Sequence, residues 1–155
     1  MGSGTGHWYD RPPPLTPAAC TALLQTMKFT NGADCELVAN LYRTTFDMVL
    51  GGASKCVYNE LGWGDEEFKQ MCDVLPSLTE VDKLVLMFHN NFTDVGANHI
   101  ARVLDAGAMP KLRVLDLNCD DNETQNPKMG TRDAGAAAVR EACAKRGIRA
   151  DTSNW

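Results

Sequence analysis

Two segments in the second half of the chain repeat one pattern of residues, and this repetition limits the possible folds more than any other feature. Leu84-Val85-Leu86 and Leu115-Asp116-Leu117 are short alternating segments typical of strands. A polar loop and a helical pattern follow each segment. The helical residues correspond at equal spacings, with Asp94, Gly96, Ile100 and Leu104 in one copy and Asp133, Gly135, Val139 and Cys143 in the other. Such repetition predicts stacked strand–loop–helix units.

A weaker copy of the pattern precedes these two. Cys56-Val57-Tyr58 is predicted as its strand, with Asp65 at the start of its helix. The loop from strand to helix is eight residues longer in the last unit than in the others, which indicates an insertion there. Asp65, Asp94 and Asp133 are predicted as helix N-caps, because a carboxylate accepts hydrogen bonds from the free amides of a helix start.

The repeated pattern resembles that of the leucine-rich repeat proteins, in the ribonuclease-inhibitor-like subclass. The resemblance covers about 60% of the chain and is carried by Val81-x-x-Leu84-x-Leu86 with Gly96, Ile100 and Leu104, and by Leu112-x-x-Leu115-x-Leu117 with Gly135 and Val139. Where the family has an Asn three residues after the second strand leucine, this chain has His89 and Asp120. The resemblance implies an α/β solenoid with parallel strands on a concave face, helices on the convex face, and a role in binding other proteins.

Chain topology predicts the same arrangement independently. A strand, an amphipathic helix and a further strand connect by a right-handed crossover, which gives parallel strands with helices on one side. Three units are about the lower limit of a stable stack, so its ends need cover. We therefore predict an extended tail over 1–14, a helical cap over 15–54, and three units with a C-terminal tail over 55–155. The edge of the last strand either pairs with a partner or is covered by the chain's own end.

Two helices are predicted within the cap. Thr16 and Pro17 are a typical N-cap and first helical residue, and they begin a helix over 17–27. A second helix is predicted over 33–50, where apolar residues recur at helical spacing before two glycines end the pattern.

The solvent-facing side of the sheet is the predicted partner-binding surface. Side chains between the strand leucines are expected to point away from the helices and to form a partly apolar patch with a polar flank. The candidates are Tyr58, Val85, Met87, Phe88, Asp116 and Asn118, and Cys56 is expected on the same side of the sheet. Trp8 and Tyr9 in the tail are further candidates for partner contact. Alternatively, these two residues and the prolines after them lie across the sheet and cover it.

Catalytic, cofactor and metal chemistry find no support in the sequence. The three histidines do not cluster with cysteines at zinc-ligand spacing. A calcium-loop spacing runs through Asp116, Asn118, Asp120 and Asn122, but Asp121 and Pro127 replace the Gly and the Glu that such a loop requires. No nucleophile is placed beside a base. We therefore expect no enzyme activity, no cofactor and no metal.

Composition restricts the partner and the compartment. A net charge of −5 argues against binding along a nucleic acid backbone, and no stretch is apolar enough for a membrane span. Six scattered cysteines are typical of reduced, packed thiols, and the start of the chain lacks the features of a secretory signal. We expect an intracellular protein, cytoplasmic by default, or one of an organelle if a targeting segment has been removed.

These observations favour a non-catalytic protein–protein interaction module, an accessory or structural subunit of a larger assembly. The first alternative is a regulatory adaptor that recruits a second partner through its N-terminal helices. An enzyme comes third, because a fold of this kind can carry an unrecognised active site.

Overall fold

The parallel sheet expected from the repeats is present in the computed structural model, which describes residues 11–86, 92–117 and 133–152. Over these ranges the chain is an α/β protein with five α-helices and a four-stranded sheet. In chain order the elements are α1 (Pro17–Gln25), α2 (Gly32–Val49), β1 (Lys55–Val57), α3 (Asp65–Val74) with a short 3₁₀ turn (Leu75–Ser77), β2 (Lys83–Val85), α4 (Asp94–Asp105), β3 (Val114–Asp116), α5 (Asp133–Lys145) and β4 (Arg149–Asp151).

The two N-terminal helices form a hairpin with a small core of its own. The Thr16 hydroxyl accepts a hydrogen bond from the Ala19 amide, and the side chain of Asn31 accepts one from the Ala33 amide, so each helix has a side-chain N-cap. Buried side chains between the helices are Cys20, Leu24 and Ala39. The observed helices agree with the predicted ones to within two residues at each end.

The strands lie in chain order, β1-β2-β3-β4, and every neighbouring pair is parallel. Because α3, α4 and α5 connect successive strands, right-handed crossovers bring all three helices to one face of the sheet. Each of these helices packs on the next one. The last strand, β4, is formed by the predicted C-terminal tail, so the chain itself covers the edge of β3.

The main core lies between the sheet and these helices. The strand leucines are completely buried, and so are Phe68 and Phe92, whose ring centres are 3.9 Å apart. Trp63 contacts Phe68 edge to face. Phe46 of α2 is also buried in this cluster. Tyr42 and Leu50 pack against the same cluster, so several side chains in the C-terminal half of α2 join the hairpin to the repeated units.

The register of the first strand differs from the prediction by one residue. Cys56 pairs with Leu84, and Val57 pairs with Val85. Since side chains alternate along a strand, Cys56 and Tyr58 share the inner face with the strand leucines, and Val57 points outward. The prediction that Cys56 and Tyr58 face solvent is therefore wrong. Cys56-Val57-Tyr58 does not alternate between apolar and polar residues, so the sequence pattern did not fix which face each residue takes.

The prediction that Asp65 and Asp94 are N-caps is also wrong. Gly64 and Thr93 are the N-cap residues, and Asp65 and Asp94 are the first residues of α3 and α4. In the third unit Asp133 likewise begins α5, and its side chain lies outside the described residues.

The aspartate that begins one helix binds the start of the next. The Asp65 carboxylate accepts hydrogen bonds from the amide and the hydroxyl of Thr93, at 2.7 and 2.8 Å, and from the amide of Gly96 at 2.8 Å. One unit later, Asp94 accepts a hydrogen bond from the Gly135 amide at 2.6 Å. The repeated aspartates therefore connect neighbouring units across the stack.

These contacts require glycine at the third position of the second and third repeated helices. A Cβ atom on Gly96 would come within 2.8 Å of an Asp65 oxygen, and one on Gly135 would come within 2.6 Å of the Ala97 side chain. The first repeated helix has Glu67 at this position, and its carboxylate accepts from the amide of its own N-cap, Gly64. The difference fits the position of α3, because no repeated helix precedes it in the sheet order.

Candidate protein-binding surface

The outer face of the sheet carries a mixture of charged and aliphatic side chains. Because side chains alternate along each strand, two rows of residues point to the outer face. The first row is Lys55, Lys83, Val114 and Arg149. The second row is Val57, Val85, Asp116 and Asp151. Val57 is half exposed, but Val85 is only 5% exposed. The predicted exposure of Val85 is therefore wrong. Asp116 lies on this face and is half-buried.

Tyr58 takes part in packing rather than in an outer patch. Its ring lies 5.3 Å from that of Trp63. Burial is the main reason that the pKa of Tyr58 is raised. The other candidates, Met87, Phe88 and Asn118 at the sheet and Trp8 and Tyr9 in the tail, lie outside the described residues.

Most exposed apolar surface is on the helical hairpin. Among the described residues, nine large apolar side chains are exposed, and seven of them belong to α1, the turn after it, or α2. We call these seven residues the hairpin face: Leu23, Met27, Leu37, Val38, Leu41, Met48 and Val49. The most exposed is Met48, at 74%.

Helical spacing brings the α2 residues of the hairpin face together on one side. Leu37, Leu41 and Met48 follow one another along α2 at intervals of four and seven residues, and Val38 and Val49 lie on the adjoining stripe. Leu23 in α1 and Met27 in the turn after it are exposed as well. The α2 residues that contact the core, such as Ala39 and Phe46, lie beyond the second stripe. Apolar residues thus cover more than half of the α2 circumference, and the described part of the chain covers only part of that arc.

The charged residues of α2 are mainly on its other side. Glu36, Arg43 and Asp47 are exposed there, opposite the hairpin face. A charged-to-apolar boundary of this kind is typical of a helix with one face packed against another structure.

A groove of about 440 Å³ lies at the C-terminal end of the hairpin face. Its lining is Pro12, Pro14, Tyr42, Thr45, Phe46, Val49, Leu50 and Tyr58. The volume falls in the range of sites that take an apolar group, and the lining is mostly aliphatic and aromatic. The groove therefore extends the hairpin face toward the sheet.

Hydrogen bonds hold the proline wall of the groove in place. The Trp63 indole donates to the carbonyl of Arg11 at 2.7 Å, and the Gln70 amide donates to the carbonyl of Pro13 at 2.7 Å. The Tyr42 hydroxyl donates to the carbonyl of Leu15 at 2.8 Å. The described part of the predicted tail is thus bound beside α2 and α3.

The cysteines provide little reactive chemistry. The five described cysteines are free thiols, and four of them are buried. Burial raises the pKa of Cys72 to about 12 and that of Cys143 to about 11, so both thiols are protonated at neutral pH.

The described ranges contain neither a metal-binding cluster nor a membrane-spanning helix. No group of three or more His, Cys, Asp or Glu side chains is arranged to hold a metal ion. None of the helices is both long enough and apolar enough to cross a membrane. The calcium-like spacing after Asp116 lies almost wholly outside these ranges.

Comparison of the chain with protein-family models, with curated proteins and with solved structures found no match. The residues of the hairpin face were not predicted from the sequence, although the adaptor alternative had the N-terminal helices contact a partner. The sequence of α2 did contain a signal for this surface. Its two adjoining apolar stripes are wider than the area that contact with α1 alone can bury.

Proposed function

We propose that this protein is a non-catalytic binding subunit whose hairpin face docks on another protein chain. The observation that carries the proposal is the exposure of seven large apolar side chains on the helical hairpin, five of them along one side of α2. This conclusion favours the adaptor alternative, in which the N-terminal helices make the contact, over a contact through the sheet.

The size of the hairpin face supports an interface. Its side chains are between 39% and 74% exposed, which leaves on the order of 600 Å² of surface, at the upper end of the largest patches on ordinary monomers. Covering a half-exposed Leu, Val or Met removes apolar area worth about 1 kcal/mol. Docking of the whole face therefore contributes several kcal/mol before the entropic cost of association.

The outer face of the sheet is less suited to this role. Its aliphatic members are separated by Lys55, Lys83 and Arg149, and its central valine is buried. The hairpin face, in contrast, has a continuous apolar surface that leads into a groove with a fixed wall.

We propose further that the repeated units form a short leucine-rich-repeat-like solenoid that supports the hairpin. Supporting this proposal are the buried rows of strand leucines, the parallel strands in chain order and the aspartate contacts between successive helices. In this proposal the protein works inside the cell, where free thiols such as those of Cys56 and Cys72 stay reduced.

The proposal is tested by placing charge in the hairpin face. Leu37→Lys/Leu41→Lys changes two exposed helical positions, and Val95→Lys is the matched control, since Val95 is an exposed aliphatic residue near the start of α4. We expect proteins that co-purify with the tagged full-length chain to be lost with the double variant and retained with the control. Equal recovery from the wild type and both variants would contradict the proposal.

A further inference from the structure

Three side chains donate hydrogen bonds to alternate carbonyls of one short proline-rich segment, residues 11–15. The donors are the indole of Trp63, the side-chain amide of Gln70 and the hydroxyl of Tyr42, at 2.7, 2.7 and 2.8 Å, and we call these three residues the donor site. We infer that the donor site binds proline-rich segments, that residues 11–15 occupy it as an internal ligand, and that a proline-rich segment of a partner protein can replace them. No residue of the donor site belongs to the hairpin face, so this second site goes beyond the proposed function.

The donor site and the segment are complementary in hydrogen bonding. Proline has no backbone N–H, so residues 12–14 offer carbonyl acceptors but no main-chain donors. The three side chains supply donors to this stretch of main chain. Pro13 is buried, and an ordinary residue in its place would bring an amide that needs an acceptor away from water. The site therefore favours consecutive prolines.

The conformation of the segment adds to this selectivity. Proline fixes φ at about −65°, and the residue before a proline is confined to extended backbone. Both effects hold residues 11–13 extended before they bind. Thr16, which precedes Pro17, has the same conformation, with φ −65° and ψ 154°. Such a segment loses little conformational entropy on binding, which is why aromatic-lined grooves bind proline-rich segments in proteins.

The donor site recognises the main chain of the segment rather than its side chains. All three hydrogen bonds end on backbone carbonyls. The rings of Tyr42, Phe46 and Tyr58 line the same groove as Pro12 and Pro14. Proline-rich segments share these carbonyls and this shape, so a segment from another protein can make the same contacts.

Residues 11–15 can leave the donor site while the rest of the fold stays in place. Among the described residues, none forms a main-chain to main-chain hydrogen bond with this segment. Helix α1 begins after it with an N-cap of its own, Thr16. Release therefore breaks the three side-chain hydrogen bonds and exposes Pro13, without unpairing a helix or a strand. Segments held in this way open locally well below the free energy of global unfolding.

Peptide binding to the full-length chain tests the inference. The probe is a fluorescein-labelled peptide with the sequence of residues 10–16, and its anisotropy is measured with the wild type and with Pro12→Gly/Pro13→Gly, here called the proline variant. The proline variant weakens the internal ligand but keeps the donor site. Because the internal ligand competes with the peptide, we expect the proline variant to bind at least about tenfold more tightly than the wild type. A peptide with alanine at its three proline positions should bind neither chain.

Substitutions in the donor site show whether the peptide binds there. In the background of the proline variant, Gln70→Ala and Tyr42→Phe each remove one donor and should weaken peptide binding by about three- to tenfold. Lys69→Ala, at the exposed neighbouring position, is the matched control and should leave the affinity unchanged. Circular dichroism of each variant shows whether its helices are retained.

Failure of the proline variant to bind the peptide would overturn the inference. Equal affinity of the wild type and the proline variant would overturn it too, because residues 11–15 then do not occupy the peptide's site. Binding that Gln70→Ala and Tyr42→Phe leave unchanged would have the same meaning. Leu37→Lys/Leu41→Lys, added to the proline variant, should keep the peptide, so the hairpin face and the donor site are tested separately.

Discussion

The carboxylate of Asp65, at the first residue of α3, lies 2.8 Å from the amide nitrogen of Gly96 in the neighbouring helix α4. The same relation holds one unit later between Asp94 and Gly135. In each case a negative charge lies at the positive end of a helix and satisfies an amide that the helix itself leaves unpaired. These contacts explain why α3 and α4 begin with Asp and why α4 and α5 have Gly two residues after their first residue.

Removing the Asp65 carboxylate should destabilise the fold more than is usual for a residue that is only partly buried. Asp65→Ala leaves three donors without their acceptor, and hydrogen bonds to a charged group contribute more than neutral ones. We expect the free energy of unfolding to fall by about 2–3 kcal/mol in urea denaturation. Glu66→Ala, at the exposed next position, is the control and should change it by less than about 0.5 kcal/mol. Equal effects of the two substitutions would contradict the assigned role.

Gly135→Ala should destabilise the protein although alanine is the better helix former. The new Cβ would lie 2.6 Å from the Ala97 side chain and 2.8 Å from an Asp94 oxygen. Overpacking of this kind costs about 1–3 kcal/mol, which exceeds the gain of about 1 kcal/mol from helix propensity. Gly32→Ala is the control, because nothing lies within 4 Å of its Cβ, and it should be neutral or stabilising. Thermal unfolding of the two variants measures the difference, and a stabilised Gly135→Ala chain would refute the close approach.

Arg146 should not tolerate replacement by lysine. Its guanidinium donates to the carbonyls of Leu104, Ala108 and Met109, and so fixes the turn between α4 and β3. Lysine keeps the charge but cannot match this fork of donors, so Arg146→Lys should lower the free energy of unfolding by about 1–3 kcal/mol. The control is Lys145→Gln, which removes a cation from exposed ion pairs and should have little effect on urea denaturation. A fully stable Arg146→Lys chain would show that the three contacts are dispensable.

Buried thiols should make the protein less stable at alkaline pH. Burial raises the pKa of Cys72 from its ordinary value of 9.0 to about 12, so above pH 9 the unfolded chain releases a proton that the folded chain retains. The free energy of unfolding therefore falls as the pH rises above 9, whereas this contribution is constant below it. Urea denaturation at about pH 8 and about pH 10.5 should show a smaller loss for Cys72→Ala than for the wild type. Cys35→Ala, which removes a half-buried thiol, is the control, and an equal loss in Cys72→Ala and the wild type would contradict the prediction.

The sequence predicted the elements whose periodicity is regular. Leu84-Val85-Leu86 and Leu115-Asp116-Leu117 alternate clearly, and both their strands and their buried leucines were predicted correctly. The helical hairpin was predicted as well, from Thr16 and Pro17 at the start of its first helix and from the helical spacing of the apolar residues in its second. These features depend on residues close to one another in the chain, so a pattern along the sequence is sufficient to identify them.

The pattern along the sequence did not predict the contacts between units. The N-cap assignment of Asp65 failed because the carboxylate binds a helix that begins 29 residues later. The predicted register of β1 was wrong because the sequence Cys56-Val57-Tyr58 is compatible with either orientation of its side chains relative to the sheet. The exposure of the hairpin was missed for a related reason. An apolar stripe predicts burial, but it does not say whether the same chain or another one provides the cover.

The central claim is that the hairpin face docks on another protein chain, and site-specific photo-cross-linking in the source cells tests it most directly. One variant of the full-length chain carries a benzophenone amino acid in place of Leu41, and a second variant carries it in place of Val95. Both positions are exposed on helices, at 59% and 56%, but only Leu41 belongs to the hairpin face. The account predicts a discrete cross-linked product from position 41, to a second copy or to another protein, and none at comparable yield from position 95. Cross-links of equal yield from both positions, or none from position 41, would contradict it.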